Sequence, residues 1–370
     1  MRRMADQRNH DQSHQRRNHV PHAILQIIDF SCFVDFMLAL AGTAVKSAYC
    51  RPLFSTIKDR LKNCLFRGIA TMSSHAPGAP LKPCPGPDRH PKRPAFAMPS
   101  GACDTHVHVF GPQAEFPFSK QRSYTPEDCT YDDLMHLHET LEIDRAVIVH
   151  GGAHGTDNRA TLAALDLNPR RLRGIAVIPS GLPQQELEGM HLRGMRGCRM
   201  STVVSGGASF AHLAGLADET FDFGWHLVLH FNRASELVDV APQLMQVRSP
   251  FVLDHLARIS AAEGVDSEPF RTLLRLLDTD RCWIKLASLY RLSAEAYPHR
   301  DMLPMIARVV DARPDRILWG SNWPHPICPV AMPNDGDLVD LIPLWLPDTR
   351  SQQLALVDNP ASLYGFESIE

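Results

Sequence analysis

The chain has 370 residues, 44% of them hydrophobic and 21% charged, a globular composition that excludes wholesale disorder. Its net charge of −3 divides unevenly: residues 1–71 hold eleven Lys/Arg against five Asp, and the remainder holds 27 basic against 36 acidic residues. A nucleic-acid partner is excluded, because the only basic excess lies in a segment with no nucleic-acid motif.

Residues 1–71 read as a leader, disordered or partly helical. Their one apolar run, Ile24 to Ala44, is broken by Asp29 and Asp35. Ten Leu/Ile/Phe/Val residues gain roughly 3–6 kcal/mol on membrane insertion and two central Asp cost about 5–7, so no membrane span is expected. The Arg-rich, Glu-free composition also resembles a targeting segment, but the plainer reading is an unstructured leader or an extension upstream of a functional start at Met72. Residues 72–101 form a Pro-rich linker or arm, with eight prolines from Pro77 to Pro99. The nine cysteines include no Cys-x-x-Cys and suit neither a disulfide framework nor a structural zinc, which points to a reducing, cytoplasmic compartment.

From residue 102 to 370 short apolar runs alternate with amphipathic stretches. The predicted strands are Cys103–Val109, Arg145–Val149, Leu172–Val177, Met195–Arg199, Trp225–Phe231, Phe251–Asp254, Cys282–Leu286 and Arg316–Trp319. Between them the predicted helices are Tyr131–Leu141, Thr161–Leu165, Gln184–His191, Ala208–Asp218, Ala234–Gln246, Pro269–Leu277 and Met302–Val310. Eight apolar strands with helical crossovers predict an α/β fold, a (β/α)8 TIM barrel carrying an irregular N-terminal extension. A doubly wound open sheet is disfavoured, since no Gly-x-Gly-x-x-Gly follows the first strand.

Barrel chemistry sits at the C-terminal ends of the strands, and histidines recur there. Strand one ends Asp104-Thr-His106-Val-His108; strict alternation puts Asp104, His106 and His108 on one face and Val107 and Val109 on the other. His230 ends strand five, His255 follows strand six, and strand eight runs into Gly320-Ser-Asn322-Trp-Pro-His325. One such histidine is ordinarily structural; several converging suit carbonyl polarisation, proton shuttling or metal binding. Lys285 reads as an ion pair inside the barrel rather than a catalytic amine. The Gly-rich loop with His150 and His154 lacks the Gly-Lys-Ser/Thr ending of a phosphate cradle.

Asp104-x-His106-x-His108, Gly151-Gly-Ala-His-Gly-Thr-Asp-Asn158, Asp254-His-Leu-Ala-Arg258 and Trp319-Gly-Ser-Asn322-Trp-Pro-His325-Pro together resemble the amidohydrolase superfamily, in its amidohydrolase-related branch of lactonases and lactone isomerases. The resemblance covers about Cys103 to Phe366. It implies that His106, His108 and His255 meet a lactone carbonyl, that His325 belongs to the site, and that Arg199, Arg258 and Arg291 hold substrate carboxylates. Tyr124 and Tyr290 would add hydroxyl contacts, and His230 joins the substrate-binding set. A guanidinium fork suits a carboxylate, so a small anionic cyclic substrate is expected.

One position departs from the family pattern. Hydrolytic members carry Asp where this chain has Asn322, and an amide orients water but cannot take its proton. The loss of an anionic ligand also favours a metal-free site; the alternative is one divalent ion such as zinc at His106, His108 and His255. Hydrolysis of a carboxylated lactone, of the 2-pyrone-4,6-dicarboxylate lactonase kind, is the leading reading, with His325 or His255 as the base and His106 with His108 stabilising the oxyanion. A lactone isomerase is the alternative, in which the substrate's own hydroxyl attacks. A non-catalytic binder of organic acids is the third reading.

Overall fold

The computed structural model describes residues 81–203 and 207–367. The expected leader and the run Ile24 to Ala44 lie outside the described residues. Eight strands follow in order: β1 Cys103–Val107, β2 Arg145–Val149, β3 Leu172–Ala176, β4 Met195–Ser201, β5 His226–His230, β6 Phe251–Leu253, β7 Cys282–Leu286 and β8 Ile317–Trp319. All neighbouring pairs are parallel, in the order β1 through β8. Just past β8 the sheet closes on β1, where Asn322 N donates to His106 O and His108 N to Trp323 O, both at 2.8 Å. The expected (β/α)8 barrel is the observed fold.

Two apolar layers explain why the strands read as nearly unbroken hydrophobic runs. Inside the barrel Cys103, Val147, Val149, Ile175, Val228, Val252, Trp283 and Leu318 pack together, with Tyr364 and Phe366 joining them. The opposite strand faces, such as Ala146, Ile148, Leu227 and Leu253, pack under the helices. Helices α1 Tyr131–Leu141, α2 Arg159–Leu167, α3 Gln184–Leu192, α4 Leu213–Phe221, α5 Ser235–Leu244, α6 Glu268–Leu277 and α7 Leu303–Ala312 form the outer ring. In α6 the stripe Phe270, Leu273, Leu276 and Leu277 is buried, and Ser267 caps the start by accepting from Phe270 N. The crossover expected as one helix from Ala208 begins instead with a 3-10 turn, Phe210–His212, before α4. After β8 come α8 Asp335–Asp340, α9 Ile342–Trp345, α10 Thr349–Gln353 and α11 Asn359–Tyr364, four short helices beyond the seven expected between the strands.

The described part of the Pro-rich stretch, residues 81–101, is an arm laid on the barrel. Lys82 bridges to Tyr124, Arg89 pairs with Asp133 of α1, and Lys92 pairs with Asp337 of α8. Among the described residues no helix is long and apolar enough to cross a membrane.

Candidate active site

The chain does not follow strict alternation along β1. Asp104 pairs with Ala146 and Val107 with Ile148, so three steps on β1 answer two on β2 and one residue bulges between them. Val107 packs with Ala146 and Ile148 beneath the helices, and Asp104 faces the same way, its Oδ2 3.8 Å from Nε2 of His138 on α1. The expected shared face of Asp104, His106 and His108 is therefore corrected. The bulge turns the two histidines inward and leaves the aspartate behind the strand. From there Asp104 Oδ1 accepts from the backbone amides of His106 and Ser321, each at 3.0 Å, tying β1 to the loop after β8. Gly320 is required at this seam, because a Cβ there would stand 2.8 Å from His106 N and Cβ.

Four imidazoles meet at the C-terminal mouth. The ring of His106 lies 5.0 Å from that of His108 and 4.8 Å from that of His255, which is 5.3 Å from His230. His108 Nδ1 donates to Val149 O at 2.7 Å and His255 Nδ1 to Ala287 O at 3.1 Å. A carbonyl only accepts, so both rings carry their proton on Nδ1 and present an Nε2 lone pair. Burial, then the charge of Arg199, pushes His108 down to about 3. Burial also holds His255 and His230 well below the ordinary histidine value.

Beneath them is a buried charged knot. Asp254 lies 2.9 Å from Arg199, 3.2 Å from Lys285 and 3.3 Å from His106 Nδ1. Burial alone would raise its carboxyl, but Lys285, His106 and Arg199 together hold it well below the usual carboxylate range. Lys285 is thus the internal ion pair its position implied. His106, Asp254 and His255 place one donor atom each within 4.8 Å of one another, which is metal-like spacing. The donor set nonetheless fits a dication poorly. Its carboxylate already faces an ammonium and a guanidinium, and Lys285 Nζ sits 3.3 Å from His106 Nδ1.

The turn after β6 carries His255 and Arg258 on a left-handed run: His255, Leu256, Ala257 and Arg258 have φ of 51°, 50°, 52° and 64°. Such residues cost roughly 1–2 kcal/mol each without a glycine, so the surrounding packing must hold them. Arg258 makes no hydrogen bond or ion pair among the described residues, and burial and then Arg291 lower its pKa. The other two expected forks are already engaged. Arg199 is on Asp254, and Arg291 donates to the carbonyls of Ile327 and Pro326 at 2.8 Å each, with its guanidinium 5.4 Å from the centre of the Tyr290 ring.

Past β8, Asn322 Nδ2 donates to Tyr290 Oη at 3.3 Å, Tyr290 donates to His325 Nδ1 at 2.9 Å, and His325 Nε2 donates to Asp335 Oδ1 at 3.1 Å. Both nitrogens of His325 are hydrogen-bonded in this structure, Nδ1 to Tyr290 and Nε2 to Asp335. Asp335, buried at the start of α8, was missed; nothing in its local pattern sets it apart from a helix-start acid. Tyr124 is buried with its hydroxyl toward the amides of Ala153 and Gly152, within electrostatic reach of Arg199. His150 and His154 are structural: the first contacts Thr161 Oγ1 at 2.9 Å, and the second accepts from Gly111 N at 3.3 Å. Gly151 is small to admit Phe110, whose ring would lie 2.2 Å from an added Cβ.

A (β/α)8 barrel with imidazoles, a guanidinium without a partner among the described residues and a strained loop at its C-terminal mouth defines a barrel of the enzyme class. The chain belongs to the amidohydrolase family, whose model matches residues 103–366. It is 37% identical over 295 residues to 4-sulfomuconolactone hydrolase of Rhizobium radiobacter, across 78% of this chain and 97% of that protein. Identity to 2-pyrone-4,6-dicarboxylate hydrolase of Comamonas testosteroni is 37% over 291 residues, 76% of this chain and 95% of that one. Identity to D-galactarolactone isomerase of Agrobacterium fabrum is 28% over 278 residues, 74% and 94% of the two chains. An apo crystal structure from Agrobacterium tumefaciens superposes with a TM-score of 0.67 at 28% identity, covering 75% of this chain and all of that one.

Proposed function

We propose that the protein hydrolyses a small lactone bearing a carboxylate or sulfonate, without a metal ion. One observation carries this reading: two imidazole lone pairs, Nε2 of His108 and of His255, face the mouth, and His255 lies within electrostatic reach of Arg258, whose guanidinium has no partner among the described residues. The guanidinium matches a planar anion, and the lone pairs can take a proton from water where Asn322 cannot. In the free protein both rings are neutral and ready to accept. A bound anion offsets the arginine charges that help depress them, which strengthens both bases as the substrate seats.

The named activities of the relatives, two lactone hydrolases and one lactone isomerase, support this class. Asn322 favours the isomerase as the second reading, since its amide suits an orienting contact to a substrate hydroxyl. Ring opening in H2-18-O separates the two on a panel of 2-pyrone-4,6-dicarboxylate, 4-sulfomuconolactone and sugar-acid lactones. Hydrolysis puts one heavy oxygen into the product carboxylate, and isomerisation puts in none. Binding of these acids with no conversion on the whole panel refutes catalysis. The reading places the protein in the cytoplasm, where its six described cysteines remain thiols.

A further inference from the structure

We propose that Lys285 is a positioning residue that fixes His106 as the Nε2–H tautomer, making His106 the hydrogen-bond donor of the cluster toward a substrate carbonyl oxygen. This rests on the lactone reading above. Lys285 Nζ lies 3.3 Å from His106 Nδ1 in hydrogen-bonding geometry. An ammonium offers three N–H groups and no lone pair, so the ring nitrogen must accept. The Asp254 carboxylate is equally near Nδ1, at 3.3 Å, and competes for the same nitrogen as an acceptor, so the position of the ring proton decides between the two partners. Its role is to keep Lys285 charged at 3.2 Å.

With Nδ1 accepting, the single ring proton sits on Nε2, which is buried and has no partner. An orphaned buried donor costs about 1–3 kcal/mol, a cost that a substrate oxygen relieves on binding. His108 and His255 are wired in the opposite sense, through Nδ1 to carbonyls. Three neighbouring rings therefore divide the work. Water oxygen bonds to the lactone carbon while the carbonyl π pair moves onto oxygen, which receives the hydrogen bond from His106 Nε2. The water proton passes to Nε2 of His108 or His255. On collapse the carbonyl re-forms, the ring C–O bond breaks and the departing oxygen takes that proton to become a hydroxyl, while the new carboxyl group loses the second proton of the water to solvent and becomes a carboxylate.

The test is histidine 15N NMR on the full chain at pH 7.5, with the His106 signals assigned by their loss in His106→Asn. The expected spectrum has the proton on Nε2. Lys285→Met is expected to move it to Nδ1, and to lower kcat on the lactone that the protein opens by roughly 10²- to 10³-fold with KM little changed. Lys285→Arg, which retains a cationic donor, is expected to restore the tautomer and part of the rate. A wild-type His106 protonated on Nδ1 overturns the proposal whether or not any Lys285 variant folds, and so does Lys285→Met that keeps the proton on Nε2. If the tautomer is as stated but no lactone is opened, the functional reading fails and the assignment to Lys285 stands. A lactone opened by an Nδ1–H ring fails the assignment alone.

Discussion

Lowering the pH from 7 to 5 is expected to remove much of the stability of this barrel. His108, His150 and His226 are buried without charge, and burial is the main cause that pushes each to about 3 from an ordinary 6.5. The unfolded chain binds protons near pH 6.5 and the folded one only near 3, so between these values unfolding takes up protons. Stability is then full above the unfolded value and falls as pH drops through the window. At pH 5 each ring contributes a loss of about 2 kcal/mol, and the three together about 6 kcal/mol, set against a total of about 5–15 kcal/mol for a folded domain. His106, His230 and His255 act in the same direction. Urea unfolding followed by Trp fluorescence at pH 7, 6 and 5 measures this, and the slope of stability against pH counts the protons. Equal urea midpoints and equal slopes at pH 7 and pH 5 would refute the reasoning.

Four further outcomes are expected. Arg258→Ala should lower kcat/KM by roughly 10- to 150-fold, the loss of a charge-assisted contact of about 1.5–3 kcal/mol, while raising Tm because a half-buried cation with no partner among the described residues is removed; steady-state kinetics with unchanged KM would contradict its substrate role. Asn322→Asp should raise the hydrolytic rate by about tenfold or more, since a carboxylate can take the water proton; an unchanged rate means the imidazoles already suffice. Ala257→Gly should relieve about 1 kcal/mol of left-handed strain yet reduce kcat by loosening the turn that aims His255, and calorimetry with kinetics on one sample checks both signs. Prolonged dialysis against a chelator should leave activity intact, and elemental analysis showing one tightly held zinc per chain together with inactivation would overturn the metal-free reading.

The barrel was legible because strands buried on both faces leave apolar runs such as Arg145–Val149 and Trp225–Phe231 that few other environments produce. Strand ends then placed His106, His108, His230, His255 and Asn322 at one mouth without any contact being known. What the sequence hid were departures from regular geometry. The bulge in β1 has no residue signature, so Asp104 was assigned to the wrong face. The left-handed run His255–Arg258 holds neither Gly nor Asn, the residues that usually announce positive φ. The duties of His325 and Arg291 depend on partners far along the chain or across loops, Asp335 and the carbonyls of Pro326 and Ile327, which no local pattern encodes.

The arm gives the molecule an order of assembly. Lys92 grips Asp337 across 245 positions of chain, and Arg89 holds Asp133 beside the opening repeat. A ribosome must have made and released the chain as far as Asp337 before that clasp can fasten. Until then the cylinder has a free flank where its first and final strands should join, and the clasp is a late fastening over that flank.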